Sequence, residues 1–308
     1  MALVAHLTTK SAGSTGALVL LGLATALAGC SAEPRWAVDA VQGGGATFPA
    51  PLYQRWFSHL AVREGLALAY LPEDSGQGVN QLLAGLLDFA GSDRDEDTGM
   101  DPRLNDPAWL RLPATAGAIA VAYNHRSCRL KLRRSQVRAI LAGTIRDFRQ
   151  LGCEPRPLSL WLRGDGSGAT ANLLHYLQWP PTQWHSASAR RVSSHAEMAT
   201  VLSRTAGAIG VLDPVYLHGR NTLQAAALEN GSGQFVRPEA HAVALALAQG
   251  DQAAEAYPIS TYSWLIMRRR GLGEKALVLK QALQYGLSPQ AQAEARVLGY
   301  QPLPEAVR

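Results

Sequence analysis

The segment "LSLWLRGDGSGATANLLHYLQW", residues 158–179, joins an apolar run, a glycine-rich turn and a helical pattern without interruption. The run LSLWLR predicts a strand over 158–163, and the apolar spacing of ANLLHYLQW predicts a helix over 171–179. A helix N-terminus exposes unpaired N–H groups and the positive end of the helix dipole, and glycine lets a ligand approach the backbone closely. This strand–turn–helix unit therefore predicts an α/β fold and a turn that favours an anion.

Two other turns share this arrangement. "GGGATFPAP" at 43–51 and "EDSGQGVNQ" at 73–81 each lie just before a helical pattern. A capping role would account for any one of them, because serine and threonine commonly begin helices. Three such turns, together with Arg163 and Asp93, favour a shared anion site.

The rest of the chain alternates strands and helices, which predicts an α/β protein with mostly parallel sheets. A buried strand is predicted over 66–71, and Ser92 and Asp93 are expected at the end of a short strand or its loop. The other strands are predicted over 117–124, 207–213 and 257–267. The other helices are predicted over 52–65, 79–90, 134–143, 238–250 and 275–287.

The N-terminus carries an export pattern. Residues 17–29, "ALVLLGLATALAG", are free of charge and too short to cross a bilayer comfortably, as is typical of a signal peptide. The run ends in "LAGC" at Cys30, which resembles a bacterial lipobox; ordinary signal cleavage beside an incidental cysteine is the alternative. We predict a signal peptide over 1–29, a lipidated tether over 30–37, and a membrane-anchored lipoprotein in the periplasm or on the cell surface.

Composition narrows the class of protein. The 308 residues are 47% hydrophobic and 17% charged, which suits a globular chain of one or two domains. The net charge of +5 favours an anionic partner, but no dense basic block with interleaved aromatic residues argues for nucleic acid. Export favours a disulfide between Cys128 and Cys153, with two free buried thiols as the alternative. Three cysteines without clustered histidines do not predict a metal site, and no cofactor is expected.

Several enzyme motifs fail to match. Ser167 lies in "DGSGA", which is not the G-x-S-x-G of a nucleophile elbow. The chain has no Gly-Lys-Ser or Gly-Lys-Thr of a Walker loop and no H-E-x-x-H, and "GDGSGA" lacks the dinucleotide spacing. The sequence therefore favours binding over catalysis.

Six segments resemble the phosphate-binding proteins of bacterial phosphate ABC transporters. They are "GGGATFPAPLYQRW", "SGQGVNQLLAGLLDFAGSD", "RGDGSGATANLLHYL", "GAIGV", "GQFVRPEAHAV" and "YPISTYSWLIM", and they follow the order of that family. The resemblance implies a type II periplasmic-binding-protein fold, in which two α/β lobes are joined by crossover strands and hold the ligand between them. The crossovers are expected near 117–122 and 256–262. Lobe 1 would comprise 38–118 plus 257–308, and lobe 2 would comprise 119–256.

The resemblance also implies a set of phosphate ligands. Hydroxyl and N–H groups would donate to phosphate oxygens, and Arg163 would add a charge-assisted, bidentate contact. Asp93 would accept a hydrogen bond from a P–OH group and so reject sulfate, which has no proton to donate there. The implied residues are Thr47, Phe48, Ser75, Asp93, Arg163, Ser167, Gly168 and Ala169.

The chain departs from the family pattern at three places. Ala169 stands where a hydroxyl residue usually follows "GSG", with Thr170 one place later. Glu73 and Asp74 precede Ser75 where glycines are more usual, and residues 93–97 are more acidic than expected. Extra negative charge near the mouth is expected to weaken anion capture unless arginines offset it.

The resemblance implies high-affinity binding of inorganic phosphate outside the cytoplasm and delivery to an ABC permease, by a monomer with no catalytic activity. One alternative is a secreted phosphomonoesterase with Ser167 or Thr47 as nucleophile and His175 as base. Another is a lipoprotein that senses phosphate or acts in surface adhesion.

Overall fold

The computed structural model describes residues 40–95, 97–164, 166–184 and 189–308. The predicted signal peptide, Cys30 and the tether lie outside these residues. Within them, no helix has both the length and the apolar character needed to cross a membrane.

The helices and strands alternate along most of the described chain. The strands are β1 (Val41–Ala46), β2 (Leu68–Glu73), β3 (Phe89–Ser92), β4 (Trp109–Ala118), β5 (Ala120–Tyr123), β6 (Lys131–Leu132), β7 (Ser159–Arg163), β8 (Arg190–Val192), β9 (Ala208–Leu212), β10 (Gln224–Ala225), β11 (Ala227–Glu229), β12 (Phe235–Val236) and β13 (Ser260–Arg268). The α-helices are α1 (Ala50–Glu64), α2 (Ser75–Leu83), α3 (Arg134–Leu141), α4 (Gly168–Tyr176), α5 (His195–Arg204), α6 (Ala240–Gln249), α7 (Lys275–Gly286) and α8 (Pro289–Leu298). Short 3₁₀ helices span Pro102–Asn105, Phe148–Leu151, Pro181–Gln183, Pro214–Leu217 and Glu305–Val307.

Two five-stranded sheets organise the molecule. The first has the order β2-β1-β3-β13-β4 and the second has the order β10-β5-β9-β7-β8. In the first, β1 is parallel to β2 and β3, whereas β13 is antiparallel to β3 and β4. In the second, β7 is parallel to β8 and β9, whereas β5 is antiparallel to β9 and β10. The two-lobed α/β fold class is confirmed, but the expectation of mostly parallel sheets is wrong because both sheets are mixed.

The chain passes from the first sheet to the second at Ile119. The predicted strand over 117–124 is in fact two strands, since β4 ends at Ala118 in the first sheet and β5 begins at Ala120 in the second. The backbone N–H of Ile119 donates to the carbonyl of Ile259 at 2.9 Å, just before β13 begins. The outgoing and returning chain therefore lie side by side between the sheets.

The region around the second turn differs most from the sequence predictions. The turn predicted at 73–78 is largely helix, because α2 begins at Ser75. The helix predicted over 79–90 ends at Leu83, where Gly85 at φ 76° turns the chain away, and Phe89 starts β3. The strand predicted as buried over 66–71 is β2, an edge strand with an exposed face.

Other predicted elements agree closely with the structure. The helix predicted over 52–65 is α1, which ends at Gly65 in the left-handed conformation at φ 66°. The strand predicted over 158–163 is β7, and the helix that follows it is α4. Two helices were not predicted, namely α5 and α8. The structure pairs Cys128 with Cys153 in a disulfide that links the segment after β5 to the segment after the 3₁₀ helix Phe148–Leu151, with a Cα–Cα distance of 5.5 Å.

Candidate anion-binding site

The first glycine-rich turn holds Thr47 between β1 and α1. Gly45 has φ 122°, a conformation that favours glycine, so the chain can bend sharply there. The Thr47 hydroxyl accepts a hydrogen bond from Arg163 Nη1 at 2.7 Å, which leaves its own O–H free to donate elsewhere. The carbonyls of Thr47 and Phe48 accept from the hydroxyls of Tyr216 and Tyr300, both at 2.8 Å. The turn is therefore fixed from several sides.

Ser75 and Asp93 meet at the start of α2. Ser75 is the first residue of that helix, and its Oγ accepts from the backbone N–H of Asp93 at 3.1 Å. Asp93 directly follows β3 and is 2% exposed. Its Oδ1 accepts from the Ser263 hydroxyl at 2.8 Å, and its carbonyl accepts from Asn172 Nδ2 at 2.7 Å. One carboxylate is thereby held in place by β13 and flanked by α4.

Arg163 is the buried cation of the site. It is the last residue of β7 and only 1% exposed. Besides its bond to Thr47, its Nη2 donates to Asp74 Oδ1 at 2.5 Å. Its buried Nε has no hydrogen-bond partner among the described residues. A buried charged donor without a partner is costly, so this atom marks a place for an acceptor.

The third turn brings the start of α4 against the start of α2. A Cβ added at Gly168 would lie 2.6 Å from Ser75 Oγ and 2.8 Å from Asp93 Cβ, so only glycine fits there. The backbone N–H of Gly76 donates to the carbonyl of Gly166 at 3.0 Å. Ala169 is buried and offers no hydroxyl. Two helix N-termini therefore lie side by side next to Arg163 and Asp93.

None of the three helices that begin at these turns is capped by its own side chain. The N-cap residues of α1, α2 and α4 are Pro49, Asp74 and Ser167, and each makes no side-chain cap bond. The first N–H groups of a helix need acceptors from elsewhere. The arrangement is suited to an anion, which both the N–H groups and the helix dipoles favour.

Burial dominates the electrostatics of the acidic and basic groups. It raises the pKa of the Asp93 carboxyl to about 7, an effect that the Ser263 hydrogen bond and the charges of Arg163 and Arg94 only partly oppose. Burial, reinforced by Arg163, lowers the pKa of His195 well below its usual value. The buried histidine therefore supplies no positive charge to attract an anion at neutral pH.

Most of the predicted ligand residues come together. Direct hydrogen bonds link Thr47 to Arg163 and Ser75 to Asp93, and the start of α4 contacts the second pair. The residues that the sequence did not identify are Asp74 as the partner of Arg163, and Ser263, Asn172 and Tyr216 as supports. No local motif could reveal them, because each acts on a residue that is remote in the sequence.

The groups proposed for an enzymatic alternative are not arranged for catalysis in the part of the chain that is described. His175 is exposed on α4 and makes no hydrogen bond to Thr47 or Ser167 there. It lines a groove of about 770 Å³ that Asp95 and Trp179 also border. The described residues also contain no cluster of three or more histidine, cysteine, aspartate or glutamate side chains that could hold a metal ion.

The known proteins that this chain resembles include phosphate-binding proteins. Residues 31–290 match the family described as the PBP superfamily domain. The chain is 26% identical over 305 residues to the phosphate-binding protein PstS of Pasteurella multocida, covering 87% of each chain. It is 24% identical over 302 residues to PstS of Xylella fastidiosa strain 9a5c, covering 86% of this chain and 81% of the relative.

Solved structures share the fold. A putative phosphate ABC transporter substrate-binding protein with bound phosphate from Clostridium perfringens has a TM-score of 0.72 at 15% identity, covering 86% of this chain and 100% of that one. A phosphate-binding protein from Stenotrophomonas maltophilia has a TM-score of 0.68 at 18% identity, covering 87% and 92%. At this level of identity the similarity establishes the fold of the chain.

Proposed function

This chain belongs to the PBP superfamily, and on that premise we propose that it binds inorganic phosphate outside the cytoplasm and delivers it to a phosphate ABC permease. The observation that carries the proposal is the buried, unpartnered Nε of Arg163 beside two uncapped helix N-termini. The names of the PstS relatives support phosphate as the anion.

Each candidate ligand has a role in the proposal. Thr47 and Ser75 already accept one hydrogen bond each, so their O–H groups are free to donate to phosphate oxygens. Arg163 supplies the charge, the Ser167 hydroxyl supplies a further donor, and the backbone at Phe48, Gly168 and Ala169 supplies N–H donors. Asp93 accepts a hydrogen bond from the P–OH group that phosphate keeps near neutral pH. Sulfate carries no such proton, so its oxygen would face the carboxylate without a hydrogen bond.

The geometry supports binding of the anion without hydrolysis of a phosphomonoester. The Thr47 hydroxyl bonds to a cation instead of a base, and in the described residues no histidine is hydrogen-bonded to Ser167. A phosphatase assay on purified protein with a chromogenic phosphomonoester tests this. We expect no turnover above the level of an Arg163→Ala variant, and turnover that depends on Arg163 would favour the esterase.

The two lobes are proposed to close on the ligand. Lobe 1, comprising 38–118 plus 257–308, supplies Thr47, Ser75 and Asp93, and lobe 2, comprising 119–256, supplies Arg163 and the start of α4. The membership of the two sheets supports these boundaries. Because the ligand touches both lobes only when they are together, phosphate would shift an open–closed equilibrium towards closure.

Export and anchoring are a further part of the proposal. The lipobox-like "LAGC" supports cleavage after residue 29 and lipidation of Cys30. The mature protein would then act as a lipid-anchored monomer outside the cytoplasm. Mass spectrometry of the mature N-terminus tests this, with a diacylglyceryl Cys30 as the expected result and an unmodified N-terminus as the contradicting one.

The direct test of the ligand is titration calorimetry of the purified protein with phosphate, sulfate, arsenate and molybdate. We expect phosphate to bind tightly and sulfate to bind far more weakly. Absence of phosphate binding by a folded sample would refute the proposed function.

A further inference from the structure

Asp74 is placed to cap α2 and does not cap it. It is the N-cap residue, with the extended backbone that a cap requires, at φ −86° and ψ 149°. Its carboxylate nevertheless makes no bond to the helix N–H groups and bonds instead to Arg163 Nη2. Asp74 therefore contacts a side chain 89 positions away instead of capping its own helix.

The contact joins the two sheets at the anion site. Asp74 leads out of β2 into α2, beside the first sheet, whereas Arg163 ends β7 in the second. Asp74 Oδ2 lies 3.4 Å from the Cβ positions that would be built at Gly164 and Gly166, so it packs against the turn before α4. The Asp74 side chain is 26% exposed and that of Arg163 is 1% exposed. A carboxylate thus partly neutralises the site's buried cation.

We propose that Asp74 is a specificity-determining residue, which lowers the positive charge facing the ligand and thereby disfavours doubly charged oxyanions relative to singly charged phosphate. The inference rests on the proposed function. A fixed negative charge repels a dianion twice as strongly as a monoanion at the same distance. Asp74 therefore discriminates by charge, whereas Asp93 discriminates through the hydrogen bond that it accepts from a P–OH group.

The neighbouring Glu73 provides a matched control. Its Oε2 accepts from Gln81 Nε2 at 2.9 Å, so this carboxylate is tied to α2 and not to Arg163. Glu73→Gln removes the same charge one residue away. Asp74→Asn removes the charge but keeps an oxygen that can accept from Arg163, so it separates charge from hydrogen bonding.

The experiment measures the affinities of phosphate and sulfate by calorimetry at about pH 6, where phosphate is mainly a monoanion and sulfate a dianion. Full-length protein in detergent is used for the parent and for the D74N, D74E and E73Q variants. We expect the preference for phosphate over sulfate to fall about tenfold in D74N, after allowance for the partial exposure of Asp74. D74E and E73Q are expected to keep the preference of the parent.

The ratio of the phosphate affinity to the sulfate affinity is insensitive to a general loss of site geometry, because such a loss would weaken the binding of both anions together. An unchanged ratio in D74N, or an equal fall in E73Q, would overturn the inference. If D74N does not fold, D74S carries the same expectation and the same contradicting result. If the parent binds no phosphate, the proposed function itself fails, which is a distinct outcome.

Discussion

Among the described residues, serine is the N-cap residue of three α-helices, but its side chain caps only two of them. Ser194 Oγ accepts from the backbone N–H of Glu197 at 3.0 Å at the start of α5, and Ser288 Oγ accepts from that of Ala291 at 3.2 Å at the start of α8. Ser167, at the start of α4, makes no such bond although it is 2% exposed. The same residue type therefore serves its helix at two places and is left available at the third.

The surroundings of Ser167 explain the difference. The start of α4 faces the start of α2, the buried Arg163 and the carboxylate of Asp93, whereas Ser194 and Ser288 complete ordinary helix starts. A serine cap contributes about 1 kcal/mol to helix stability. We propose that the ligand, and not the Ser167 side chain, accepts hydrogen bonds from the first N–H groups of α4, so the helix lacks this contribution.

The largest expected effect tests the cation that makes the α4 start an anion site. Arg163→Ala removes a buried positive charge and its unpartnered donor from the site, and we expect a loss of phosphate affinity of at least a thousandfold. Calorimetry measures it, with a thermal melt to verify folding. Arg149→Ala, an exposed arginine of the same lobe, is the control and should bind as the parent does. Parental affinity in the Arg163 variant would refute the site.

The next effect concerns Asp93 and pH. Because burial raises its pKa to about 7, the carboxyl becomes charged as the pH rises through neutrality. We therefore expect sulfate affinity in the parent to fall between about pH 6 and 8, since sulfate itself does not titrate there. Asp93→Asn should remove this pH dependence and improve sulfate binding relative to phosphate by about a hundredfold at pH 8. A pH-independent sulfate affinity in the parent would contradict the role of Asp93.

The smallest effects test the serine comparison itself. Ser194→Ala and Ser288→Ala should each lower the free energy of unfolding by about 1 kcal/mol and leave phosphate affinity unchanged. Ser167→Ala should show the opposite pattern, with about a tenfold loss of affinity and little change in the stability of the ligand-free protein. Denaturant melts and calorimetry on the three variants measure both quantities. Equal stability losses in all three would show that Ser167 is a cap after all.

The residue patterns predicted the α/β class and the turns that begin α1 and α4, because strand, turn and helix are adjacent there, whereas the two lobes were implied by the family resemblance. One strand was predicted where the structure has β4 and β5, because a continuous apolar run over 117–124 does not reveal that the chain changes sheets at Ile119. The second helix was predicted to extend to residue 90, because the leucines after Gly85 continue the helical spacing.

The family resemblance implied the residues of the candidate site but not the contacts between them. The contacts Asp74–Arg163 and Asp93–Ser263 span 89 and 170 positions. Hydrophobic periodicity and capping signals report only on neighbours within a few residues, so they carry no information on such pairs. Asp74 in particular has the sequence position of a cap, and only the folded chain shows that its carboxylate turns to Arg163.

Comparison of the affinities for phosphate and sulfate tests most directly the central claim, which is that the site recognises phosphate through its proton. Phosphate and sulfate are titrated by calorimetry into the parent protein near pH 8, where Asp93 is mainly ionised. We expect tight binding of phosphate and an affinity for sulfate at least a hundredfold weaker, with the difference depending on Asp93. Equal affinities for the two ions would contradict a site that recognises phosphate through its proton.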